Sequence, residues 1–274
     1  MSTTVITSLS NTRIKTIRKL RNRKEREASG VAYIEGLKII GEALEQGAAI
    51  QELIWCPDLL KSDFGRNLVA TCEQLGVSIL EVNSQVFESI SVKEGPQGIA
   101  AVIKQNYMCF EDLDSGSLKF GLALYAVADP GNLGTIIRTC DAVGCHYLFL
   151  LDQTTDPYDP NAVRASMGAL FSVNIIKVRS DVFLDWAREH AIMVVGSSDK
   201  AAVDYVEFDY PERMILMMGS EREGLPEEVV LKCSKLLRIP MTGKSDSLNL
   251  SIATGVFLYE YFNRQRVKQF HQGQ

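Results

Sequence analysis

Residues 218–224, Met-Gly-Ser-Glu-Arg-Glu-Gly, close an apolar run that starts at Met214. Gly219 and Ser220 can aim main-chain amides at a ligand. Glu221 can accept hydrogen bonds from hydroxyl groups, and Gly224 permits a second tight bend. Pro226 and two acids then stand where a helix would begin, which also suits an ordinary strand–helix connection. A second stretch, Asp129-Pro130-Gly131-Asn132, reads as a turn in which Asn132 can cap the following helix. Arg138 falls on the side of that helix away from Leu133, Ile136, Ile137 and Cys140; a capped helix with a surface arginine would look the same. The third stretch, Arg238-Ile239-Pro240-Met241, ends a strand and opens a polar loop. A ligand there could lie against main chain at Ile239 and Leu248, with its polar edges facing Ser247 and Asn249.

Other chemistries are excluded by spacing. Gly131 and Gly134 form only G-x-x-G, so the dinucleotide fingerprint fails. Gly243-Lys244-Ser245 lacks the glycine that a phosphate-binding P-loop needs five places earlier, where Arg238 stands. The six cysteines form no Cys-x-x-Cys pair, and Cys145-His146 opens an apolar run, so no metal site is expected. Reduced thiols, the absence of an apolar signal core and the absence of any apolar run near ~20 residues suggest a cytoplasmic, non-membrane protein.

The elements that must carry these stretches alternate. Short strands and helices fill residues 31–104, after a polar helical stretch over 8–28. Residues 105–118 lose periodicity and read as a linker. A second alternation follows: strand 120–129, helix 132–144, strand 145–151, a small-residue helix 161–170, then further strands and a long terminal helix from about Asn249. Buried strands between helices imply an α/β fold with a mainly parallel sheet. The expected division is 1–105, a linker over 106–118, and 119–274. The net charge is −5, yet residues 11–30 hold eight basic side chains against two acidic ones. That segment is either a basic arm for an anionic partner or a helix packed on its own domain by Ile14, Ile17 and Leu20.

Asn-x5-Arg, then Gly-Ser-Glu-x2-Gly-Leu, then Ile-Pro-Met…Ser-Leu-Asn-Leu-Ser-x-Ala, in that order, resembles the SpoU/TrmH branch of the SPOUT RNA methyltransferases. The likeness spans residues 120–262 and includes "VRASMGALF" (163–171). The N-terminal half resembles the ribosomal-protein-like substrate-binding domain of the rRNA-modifying members, through residues 33–44 and 95–104. The resemblance implies a trefoil-knotted C-terminal domain, a homodimer, and S-adenosylmethionine as methyl donor without a metal. It implies methyl transfer to a ribose 2′-hydroxyl of RNA, with large-subunit rRNA favoured over tRNA. A catalytically inactive RNA-binding or ribosome-assembly protein and a base methyltransferase are the alternatives. On this resemblance Gly219, Ile239 and Leu248 hold the donor by main chain, with Ser247 and Met241 beside them. Arg138 matches the catalytic arginine. Asn132 and Glu221 would orient the ribose or Arg138, and Asn249 would fix the edge of substrate or donor.

Overall fold

The computed structural model describes residues 5–244 and 246–272, so Ser245 of the Gly-Lys-Ser stretch lies outside the described residues. The first half runs α1 (Thr12–Lys19), α2 (Arg23–Ser29), β1 (Val31–Glu35), α3 (Leu37–Glu45), β2 (Ile50–Trp55), α4 (Asp63–Gln74), β3 (Ser78–Glu81), α5 (Ser84–Ile90) and β4 (Ile99–Lys104). The second runs β5 (Phe120–Tyr125), α6 (Pro130–Ala142), β6 (Tyr147–Leu151), α7 (Pro160–Ser166), β7 (Asn174–Val178), α8 (Ser180–Glu189) and β8 (Met193–Ser197). It ends with β9 (Val203–Asp204), β10 (Met214–Met218), α9 (Glu227–Val230), β11 (Lys235–Arg238) and α10 (Leu250–Gln272).

These elements gather into two units. As far as they are described, one is Met1–Asn106 with Asp156–Phe171 and the other is Tyr107–Thr155 with Ser172–Gln274. This differs in two places from a division at 105 and 119. The stretch read as a linker packs on the second unit: the Met108 amide donates to the Ile175 carbonyl at 2.9 Å, and Leu113 and Leu118 are buried in the core. Its apolar residues are spaced for neither a helix nor a strand, so only its polarity shows in the pattern. Residues 156–171, meanwhile, belong with the first unit. Their helix α7 is shorter than expected and stops at Ser166, because Met167 turns the chain through the left-handed region at φ 55.

In the first unit β4 lies between β1 and β2, antiparallel to both, and β2 pairs in parallel with β3. The side chain of Asn11 accepts from the Arg13 amide and starts α1, and Asn83 starts α5 by accepting from Val86. Ile14, Ile17 and Leu20 are buried with Val86, Phe87 and Ile90. Through these three residues the basic segment packs on its own unit, while most of its cations stay exposed. Its arginines are used within the fold: Arg13 pairs with Glu52, Arg18 bonds Ser89 and the Leu9 carbonyl, and Arg21 caps the Ser89 and Ser91 carbonyls. Arg26 is buried against Asp156. Removing residues 1–28 would open this core, so such a truncation cannot isolate RNA affinity.

The second unit holds a seven-stranded sheet in the order β7-β6-β5-β10-β8-β11-β9, every pairing parallel. β10 is buried at every position, as expected of a strand covered on both faces. The helices α6 and α10 pack together, and the small Gly255 of α10 sits where an added Cβ would be 3.9 Å from Thr139 of α6.

Candidate active site

Parallel neighbours put their C-terminal ends on one edge of a sheet, and loops that leave that edge meet there. β5, β10, β8 and β11 are consecutive in the sheet, so the turns after them converge although they are far apart in sequence. The turns after β10, β8 and β11, with the start of α10, enclose a cavity of about 880 Å³, a usual size for a small-molecule site. Gly219, Ile239, Met241, Ser247 and Leu248, the five residues assigned to the donor, all line it, as does Glu221. Leu237, Ala253 and Phe257 supply apolar wall, and Asp199, Lys200, Arg222 and Glu223 supply charge.

The turn after β10 is closed on itself. Ser220 and Gly224 exchange two main-chain hydrogen bonds, each 3.1 Å, and Gly224 sits at φ 68. Gly219 leaves no room for a side chain: a Cβ there would lie 2.1 Å from the carbonyl carbon of Gly224. This crowding brings main chain, rather than side chains, to the cavity.

Glu221 latches this turn to the one after β5. Its carboxylate accepts from the amides of Ala128 (3.2 Å) and Asp129 (3.3 Å) and from the Asn132 side chain (3.1 Å). The Asn249 side chain in turn donates to the Asn132 side-chain oxygen at 3.0 Å. The structure thus brings Asn132, Glu221 and Asn249 into one chain of hydrogen bonds across three loops. Burial pushes the Glu221 carboxyl up, but the bonds from Asn132 and from the amides of Glu221, Ala128 and Asp129 outweigh it and hold the group below the usual carboxylate value. Just before the gripped amides, Ala126 turns at φ 50, a region that costs a non-glycine residue energy and needs surrounding contacts to persist.

Asn132 does not cap α6. Asp129 does, accepting from the Asn132 amide at 2.6 Å, and the helix begins at Pro130. Proline needs no amide at that position, so the helix can start two residues earlier than expected. The Asn132 side chain is thereby free for Glu221 and Asn249. Asn249 caps α10, accepting from the amides of Ser251 and Ile252.

Arg138 is not brought into the cavity. It is exposed on α6, and among the described residues its side chain has no hydrogen bond or ion pair. Sequence reasoning missed the loop Ser197–Lys200, which lines the cavity after β8. It holds no glycine-rich turn or catalytic pair, and only its strand's place beside β10 marks it.

Residues 119–259 match the SpoU rRNA Methylase family, and residues 11–101 match the MRM3-like substrate binding domain. A 23S rRNA (uridine(2479)-2′-O)-methyltransferase of Streptomyces viridochromogenes is 32% identical over 262 residues, 90% of this chain and 88% of that protein. The 23S rRNA (guanosine(2553)-2′-O)-methyltransferase RlmP of Bacillus subtilis is 28% identical, over 93% of this chain and 97% of that protein. The crystal structure of an AdoMet-bound rRNA methyltransferase from Sinorhizobium meliloti superposes with a TM-score of 0.87 at 37% identity, over 95% of this chain and 98% of that one. With its motif loops gathered at one cavity and both halves matched, the chain belongs to the SpoU rRNA methylase family.

Proposed function

We propose that the protein transfers a methyl group from S-adenosylmethionine to a ribose 2′-hydroxyl of ribosomal RNA. The observation that carries this is the cavity at the C-terminal edge of the sheet, lined by Gly219, Ile239 and Leu248 and joined through Glu221 to Asn132 and Asn249. The cavity suits the donor: a main-chain cradle at Gly219 for hydrogen-bonding edges, apolar wall at Leu237 and Phe257, and charges of both signs on the rim. When bound there, S-adenosylmethionine supplies an activated methyl on a sulfonium that is its own leaving group. The protein's work is to hold the hydroxyl in line and to stabilise charge on its oxygen as the proton leaves to solvent and the sulfonium departs as a neutral thioether.

Arg138 is the group for that work. A guanidinium stays protonated, so it clamps phosphate and stabilises the developing alkoxide rather than accepting the proton. Because Arg138 does not line the cavity of its own chain, we assign it to that of a second copy. Ile252, Tyr259 and Phe270 support a homodimer: they recur on one face of α10 and are 58%, 46% and 70% exposed. Ribosomal RNA as substrate agrees with a cytoplasmic enzyme. Among the described residues no helix is long and apolar enough to cross a membrane.

Transfer of labelled methyl to total RNA, followed by nuclease digestion to 2′-O-methyl nucleosides, tests the activity. Methylated bases or transfer to tRNA alone would refute the substrate, and binding without transfer would leave an RNA-binding protein. Arg138→Ala should lower the single-turnover rate by about 10²-fold or more while donor affinity stays within a few-fold. Lost donor binding with unchanged chemistry would overturn that role.

The latch predicts a pH dependence. The folded Glu221 pKa is lowered, so its contribution is complete above the ordinary value of about 4.3 and is lost as pH falls through the lowered one. Glu221→Gln places an amide donor against the Ala128 and Asp129 amides. It should weaken donor binding about tenfold at neutral pH, the cost of a hydrogen bond left unmade, and remove the part of the acid-side fall that belongs to the latch. Calorimetry against pH checks this; identical acid-side curves would show that Glu221 is not the group responsible.

A further inference from the structure

We propose that Lys93 and Arg164 together hold a phosphate of the RNA substrate on the first unit. The inference rests on the RNA-directed reading above and says where on that unit the RNA backbone is gripped. Both side chains line one crevice, with Tyr33, Glu35 and Val163. The crevice itself measures about 10 Å³, room for roughly one water, so no base enters it. A ligand must lie across its rim, where the two cations are.

Neither cation has a carboxylate within ion-pairing distance among the described residues. Arg13, Arg23, Arg26 and Arg66 of the same unit all do. Glu35, on the crevice wall, is already engaged: it accepts from the Ser91 hydroxyl at 2.7 Å, the Val92 amide at 2.9 Å and the Tyr33 hydroxyl at 3.2 Å. Arg21 adds a further positive charge beside this loop: among the described residues its guanidinium donates to the main-chain carbonyls of Ser89 and Ser91 and pairs with no carboxylate. Lys93, Arg164 and Arg21 stand against the single carboxylate of Glu35, so the charge here is net positive and an anion from outside is favoured at this point.

The chain that carries the two groups is held in place: the Ser91 hydroxyl bonds both the amide and the carbonyl of Lys93. Lys93 lies across the backbone of Gly36, where an added Cβ would meet its Nζ at 2.9 Å. Arg164 belongs to α7, and the chain just after that helix is pinned to α3: Gly168, at φ 101, packs so closely on Glu42 that a Cβ would lie 2.5 Å from its side chain. This gives the 163–171 motif a purpose outside the methyl-transfer site. It sits in the methyltransferase half of the sequence but furnishes the first unit with a phosphate-binding arginine. Phosphate oxygens suit the pair, since guanidinium offers a planar fork and lysine a point charge.

The test uses the full-length protein and the RNA it methylates. For Lys93→Gln/Arg164→Gln, the slope of log affinity against log salt should shrink by about 0.7, the value for one single-strand phosphate contact. The RNA concentration for half-maximal rate should rise by more than the saturated rate falls, and Lys93→Arg should restore the slope in part. Arg66→Gln, which removes a cation already paired with Asp63, is the control and should leave the slope unchanged. Unchanged melting of the double variant excludes a folding defect. If wild-type protein methylates RNA and the double variant keeps the same slope and half-maximal concentration, the site is refuted. If the wild type neither binds nor methylates RNA, the proposed function itself fails. Competition by inorganic phosphate at millimolar concentration with no RNA effect in the double variant would identify a free-phosphate site instead and overturn the assignment to RNA.

Discussion

Gly219→Ala should reduce S-adenosylmethionine affinity by roughly 30- to 10⁴-fold. The new Cβ would lie 2.1 Å and 2.4 Å from the carbonyl carbon and oxygen of Gly224, and 2.4 Å from the Leu225 amide nitrogen. All three are main-chain atoms, so no rotamer change can relieve the clash, and the turn must open. Opening it breaks the two Ser220–Gly224 hydrogen bonds. At about 1–3 kcal/mol for each group left unsatisfied, two such losses correspond to that range of affinity. The opened turn also carries Glu221 away from Ala128 and Asp129, so the effect reaches the neighbouring loop. Gly243→Ala is the control, since a Cβ there meets nothing within 4 Å. Calorimetry on both proteins decides the matter, and a Gly219→Ala protein that binds the donor normally would show that this turn is not the cradle.

Arg26→Ala should destabilise the first unit by about 3–5 kcal/mol, the cost of stripping the partner from a buried charge. Arg26 is 1% exposed and Asp156 is 2% exposed. The Arg26 Nε donates to Asp156 at 2.7 Å, one guanidinium nitrogen donates to the Leu20 and Arg21 carbonyls at 2.9 Å each, and Asp159 lies at 3.5 Å. Alanine would leave the Asp156 carboxylate and two carbonyls without this donor. The exposed pair Arg23–Glu27 is the comparison, and Arg23→Ala should change stability by about 1 kcal/mol or less. Urea unfolding followed through Trp55, in a Trp186→Phe background, reports the first unit. Equal midpoints for the two variants would refute the clamp. Adding Asp156→Ala to Arg26→Ala should recover part of the loss, because the uncompensated charge is then gone as well.

Local patterns in the sequence carried most of the secondary structure. The apolar run at 214–218 is a strand because its residues are buried on both faces of a parallel sheet. Asn83 and Gly47 bound their elements through contacts only a few residues long, and such contacts are legible in a linear chain. The residue types of the cavity-lining loops were equally legible, since glycine, proline and short polar side chains have restricted uses. The start of α6 was misplaced by two residues because Asp129 and Asn132 are both good caps, and which one serves depends on Glu221, 89 residues away from Asn132. The part played by Ser197–Lys200 was hidden for a similar reason: it follows from β8 lying beside β10 in the sheet. The basic start of the chain was ambiguous, because charge spacing alone cannot tell a solvated arginine from one paired with Asp156 at a separation of 130 residues. Sequence by itself determined the alternation of elements, the turn chemistry and the membership of the family. Tertiary structure alone decided that residues 156–171 join the first unit and that Asn132, Glu221 and Asn249 share one hydrogen-bonded chain. These pairings join groups distant along the backbone, and burial together with the hydrogen-bonding needs of charged groups selects among partners that composition leaves equivalent.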